Sequence, residues 1–100
     1  MLLFYIPCSS TEEAEKIAAS VIESKVAACA NIIPGVSSMY EWDGKLQKEQ
    51  ESILLLKCKA ENKNCLEQQV SEIHSYECPC ILSLKPETVN QPFLNWIRES

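Results

Sequence analysis

The chain has 100 residues, 46% of them hydrophobic and 23% charged, with a formal net charge of −5. This length sets one domain, residues 1–100, with one modest core as the expectation. The acidic balance argues against a nucleic-acid partner, which calls for a basic face, and no run approaches the roughly 18 apolar residues of a membrane span.

"LLFYI" (2–6) reads as a buried strand ending at Pro7. The apolar start lacks the basic flank of a signal peptide, so a cytoplasmic location is expected. In a reducing compartment the six cysteines read as buried thiols, metal ligands or redox groups rather than structural disulfides. There is no C-x-x-C, which disfavours a thioredoxin-like pair.

An amphipathic helix follows over 11–25. Ala14, Ile17, Ala18, Val21 and Ile22 recur at helical spacing, and Ser10 with Glu13 has the spacing of a capping box. Lys25 stands at the favourable C-terminal end of that helix. "AACANII" (27–33) is a second strand, interrupted by Pro34-Gly35, where a bulge or bend belongs. "VSSMYEW" continues extended to Asp43-Gly44, a two-residue hairpin signal. Residues 45–59 return as a long strand, polar first and apolar later. A hairpin of that length overhangs so small a domain and should find a partner chain.

A second helix spans 61–74, with Leu66, Val70 and Ile73 on one face. "CPCILSL" (78–84) reads as a final core strand, and "PFLNWIRES" as a short terminal helix with Pro92 in its first turn. The order β-α-β-β-α-β predicts an α+β, ferredoxin-like sandwich with a long β-hairpin and a short C-terminal helix. Two helices cover one face of such a sheet, and the other must meet water or another subunit.

"HSYECPC" (74–80) holds the only His beside two thiols. His74, Cys78 and Cys80 are ligand types and could form a metal cluster, one ligand short of a tetrahedral site. The competing reading puts Cys78, Cys80, Leu82 and Leu84 on one core-facing file, and the strand pattern favours it. A helix-end His74 should then add little to the core. Cys29 reads as a small buried residue, Trp42 as interface packing or a binding platform, and Lys57 as a paired or solvated charge. A single His without an orienting partner makes a Cys-His nucleophile a poor reading, and no phosphate loop or nucleophile elbow occurs. The chain is therefore read as non-enzymatic.

Beyond these local readings, "VAACANIIPGVSSMYEWDGKL", "ILLLK", "HSYECP" and "FLNWI" together resemble the CutA family of divalent-cation tolerance proteins, nearly end to end and in order. The resemblance implies a ferredoxin-like homotrimer with interlocking hairpins and a link to copper or another divalent metal ion, none of it required for folding. It also implies lateral inter-subunit clefts like those of PII-type signalling trimers, which would bind a small ligand or a protein. By analogy, Cys29, Trp42, Lys57, Tyr76 and Glu77 would line the cleft, and His74 with Cys80 would hold the metal. The chain departs from the family in carrying Ile6 where some members have a first-strand Cys, with Cys8 two residues later. Cys80 stands where the family is often acidic, so it should be accessible and could make a softer site suited to Cu(I). Neither nucleic acid nor membrane is implied as a partner.

Overall fold

The computed structural model describes residues 1–100. Its elements are β1 (Leu2–Cys8), α1 (Thr11–Glu23), β2 (Cys29–Trp42), β3 (Lys45–Cys58), α2 (Lys63–Ile73), β4 (Leu82–Leu84) and α3 (Gln91–Glu99). One antiparallel sheet runs in the order β2-β3-β1-β4, as expected of the α+β ferredoxin-like sandwich.

Strand alternation decides what the helices cover. Phe4, Ile6 and Cys8 stand beside Leu56, Leu54 and Ser52 on one face. That face meets Ala14, Ile17, Ala18 and Val21 of α1 and Leu66 and Val70 of α2, which complete the hydrophobic core. Ser10 caps α1, its Oγ accepting the Glu13 N–H at 3.1 Å. The helix ends at Glu23, two residues short of expectation. Lys25 takes φ 62°, and Val26 N–H donates to Val21 O at 2.9 Å while Lys25 N–H donates to Ile22 O at 3.0 Å. This is a Schellman motif with Lys where Gly is usual, so the chain accepts about 1 kcal/mol of left-handed strain to turn sharply into β2.

The hairpin lies within the expected bounds, and the irregularity expected at Pro34-Gly35 is there. β2 is a single strand that passes through Pro34-Gly35, where the register shifts and Gly35 takes φ 67°. Asp43 and Gly44, at φ 53° and 73°, form the connecting turn. Fourteen residues per arm reach about 46 Å at 3.3 Å each. That matches the 47 Å longest extent of the molecule, so the hairpin sets its length. The second helix starts at Lys63, after a 3-10 turn over Ala60–Asn62, and stops at Ile73.

The largest departure is the last strand. It covers only Leu82–Leu84, not 78–84. Ser83, not Leu82 or Leu84, lies beside core residue Phe4, and the two leucines stand beside Tyr5 and Leu3 on the uncovered face. Leu82 and Leu84 are 47% and 49% exposed, and Cys78 and Cys80 are exposed in the preceding coil. Of the file read from the sequence, only Leu82 and Leu84 lie in the strand, and they point away from the helices. Cys78 is therefore not a core residue.

Candidate functional site

The segment after α2 is anchored by a hydrogen-bond hub. His74 is the C-cap of α2, and its side chain is fully buried. Its Nε2 lies 2.8 Å from Pro7 O, and the Tyr76 N–H donates to its Nδ1 at 3.1 Å. A carbonyl only accepts and an amide only donates, so the ring is the neutral tautomer with hydrogen on Nε2. His74 thus ties β1 to the 74–80 segment. This corrects the expectation that a helix-end His adds little to the core.

Glu13 performs the matching task from α1. Its Oε1 accepts the Ser9 N–H and Ser9 O–H, both at 2.9 Å, and its Oε2 accepts the Ser75 N–H at 2.8 Å. In a capping box the acidic side chain would return to Ser10 N–H. Here it skips to Ser9 and reaches across to the α2–β4 connection. Burial alone would raise its pKa, but the hydrogen bonds from Ser75 and Ser9 outweigh this and hold it down at about 2. The stability this contributes is present above the ordinary value of 4.5 and is lost as pH falls through about 2. Urea unfolding across that window should show wild type losing roughly 2 kcal/mol that Glu13→Gln does not lose. Parallel profiles would refute this role.

Cys8, Glu13 and His74 bring their ligand atoms within 4.8 Å of one another. The chemistry of this trio suits structure better than metal. Burial, with the charges of Glu13 and Glu51, pushes the Cys8 thiol up to about 12, so it stays protonated. The one lone pair of the neutral imidazole already accepts the Tyr76 N–H. A metal could enter only by displacing these bonds.

Above the hub lies an open concavity of about 1010 Å³. Strand β3 offers Gln47, Glu49 and Glu51 at two-residue spacing on one face, and β2 offers Tyr40 and Trp42. The 75–80 segment supplies Tyr76, Glu77, Cys78 and Cys80. Tyr76 O–H donates to Glu51 at 2.6 Å, and Tyr40 O–H donates to Glu49 at 2.9 Å. Burial first, then the bond to Glu51, drives the Tyr76 phenol well above its ordinary value, so it remains a donor. For Tyr40 the bond to Glu49 is the main cause of a raised pKa. The lining contains three carboxylates and two thiols but no Lys, Arg or His, a combination that attracts cations.

Of the residues singled out from the sequence, Trp42, Tyr76, Glu77 and Cys80 meet at this concavity. His74 sits beneath it rather than in its wall. Cys29 and Lys57 do not join it within one chain. They face each other across β2 and β3, where Lys57 donates to Asn31 Oδ1 at 3.0 Å and lies 5.2 Å from the Phe93 ring centre. Tyr40, Glu49 and Glu51 were missed, and Cys78, weighed as a ligand but read as core-facing, lines the concavity. The alternation of Gln47, Glu49 and Glu51 was available as a signal, but which face it lay on was not.

The family model described as CutA1 divalent ion tolerance protein matches residues 2–100. A CutA homolog of Xenopus laevis is 38% identical over 93 residues, covering 93% of this chain and 62% of that protein. The divalent-cation tolerance protein CutA of Thermus thermophilus is 36% identical over 100 residues, covering 100% of this chain and 95% of that one. Among solved structures, CutA1 from Ehrlichia chaffeensis superposes with a TM-score of 0.96 at 28% identity, covering 98% of this chain and 92% of that one. A protein described as the periplasmic divalent cation tolerance protein CutA of Archaeoglobus fulgidus superposes at 0.93 with 38% identity, covering 99% and 97%. The chain spans little more than half the length of several animal and plant relatives, 54% for those of mouse and Arabidopsis thaliana.

Proposed function

Since this chain belongs to the CutA1 divalent ion tolerance family, we propose that it acts as a homotrimer that binds divalent metal ions, copper among them, and contributes to divalent-cation tolerance by binding rather than catalysis. The observation that carries this reading is the concavity whose charged lining is acidic throughout, with Glu49, Glu51 and Glu77 beside the thiols of Cys78 and Cys80. Carboxylates with thiolates suit borderline ions such as Cu(II) and Zn(II). Cys80 serves as the thiol ligand, with Glu77 beside it. His74 joins the set only by releasing the Tyr76 N–H; otherwise it holds the segment in place from below. Cys29 and Lys57 reach a shared cleft only if a neighbouring chain brings its own concavity to them.

Calorimetric titration with Cu(II) and Zn(II) tests the reading. The double variant Glu49→Gln, Glu51→Gln should bind roughly 10–100-fold more weakly with the fold intact. Unchanged affinity would sink the assignment of the concavity. A cytoplasmic location belongs to the same proposal and is supported by six unpaired thiols, which suit a reducing compartment.

One observation favours a second reading. A space of about 1010 Å³ far exceeds one ion, and Trp42, 71% exposed, offers an aromatic platform at its edge. A signalling trimer binding a small cationic or neutral ligand would show quenching of Trp42 fluorescence that a metal chelator does not reverse.

A further inference from the structure

The divalent-ion reading assigns Cys80 as its thiol ligand and gives the second thiol of Cys78-Pro79-Cys80 no task of its own. Both thiols are exposed, both line the same concavity, and Pro79 between them is half-buried. That alternation of exposed, half-buried and exposed puts the two side chains on the outer side of the segment. The backbone joining them is stiff at two points. Proline fixes its own φ near −65° and confines the residue before it to extended conformations. The segment is also held at its start by His74 and by the bond from Ser75 to Glu13. Two thiols that flank one proline on the outer side of a stiff segment lose little further freedom on forming a chelate.

We propose that Cys78 and Cys80 form a dithiol site for a trivalent, thiophilic metalloid, of which arsenous acid is the simplest example. In the reaction two As–O bonds break and two As–S bonds form. Each thiol proton leaves with a hydroxide as water, two waters in all, and the third hydroxyl stays on arsenic. No electron is transferred, so neither oxidant nor reductant is needed. The incoming molecule is uncharged and the site's charge does not change, so Glu49, Glu51 and Glu77 do not oppose the step as they would oppose an anion. Cys65, the other exposed thiol, lies on α2, and Cys8 and Cys58 are buried with their thiols driven up chiefly by burial. Neither gives a second exposed pair.

The test uses the reduced, full chain and sodium arsenite. Intact mass should show one arsenic per chain, added with loss of two waters. Alkylation afterwards should find Cys78 and Cys80 protected and Cys65 labelled. Cys78→Ser and Cys80→Ser should each weaken binding about 100-fold, because the second bond loses its intramolecular advantage. Cys65→Ser should bind as wild type. Because both serine variants alter exposed side chains, unfolding is not expected, and circular dichroism checks it. Retention of wild-type affinity in either serine variant overturns the site, as does one arsenic shared between two chains. The double variant Glu49→Gln, Glu51→Gln should keep arsenic binding, which separates this site from the divalent-ion reading.

Discussion

His74→Ala is expected to lower unfolding free energy by about 3 kcal/mol, a large share of what a small domain possesses. The side chain is fully buried, so truncation leaves a cavity among packed groups. It also removes the partner of two part-buried backbone groups, the Pro7 carbonyl and the Tyr76 amide. The corresponding fall in Tm is more than about 10 °C for a chain of this size. Urea unfolding at fixed protein concentration measures it. Cys78→Ala is the control, because an exposed thiol in a coil should cost less than about 0.5 kcal/mol. A stable His74→Ala protein with weakened copper binding would reverse the assignment and make the imidazole a ligand first.

The second large effect concerns assembly. Leu82→Glu with Leu84→Glu should convert a trimer into monomers. The helices cover one face of the sheet, and the other carries Leu82, Leu84 and Ile33 about half exposed. The overhanging hairpin adds Trp42, 71% exposed, on the same side, and Met39 and Leu46, 60% and 71% exposed, on its other side. Apolar surface on this scale marks an interaction face. Each leucine buried there contributes roughly 1.5 kcal/mol or more, and two per chain over three chains amount to several decades of dissociation constant. Sedimentation equilibrium at micromolar concentration should give a three-chain mass for the wild type and a one-chain mass for the double variant. A monomeric wild type would defeat the trimer, and an unchanged trimer in the variant would place the interface elsewhere.

Both predictions turn on residues whose environment the sequence described only in part. Local chemistry determined a great deal. Ala14, Ile17, Ala18 and Val21 specify a helix face because the apolar spacing matches 3.6 residues per turn. Asp43-Gly44 specifies a hairpin because both positions tolerate positive φ. Strand and helix order then leaves few topologies, and the ferredoxin-like sheet is among them.

Tertiary structure decided what a periodic pattern cannot carry: which face is inside. Alternation says that Leu82 and Leu84 point together, but not toward what. Only the register with β1, which sets Ser83 beside Phe4, turns them away from the helices. Cys78 was misplaced for a different reason: the strand begins only at Leu82, so alternation does not govern it. The hub was hidden as well. Glu13 and Ser75 are far apart in sequence, and their hydrogen bond exists because α1 and α2 pack side by side on one face. Spacing along a chain encodes local geometry. Contacts between distant segments depend on how whole elements dock, and there the burial of His74 and the opening of the acidic concavity were determined.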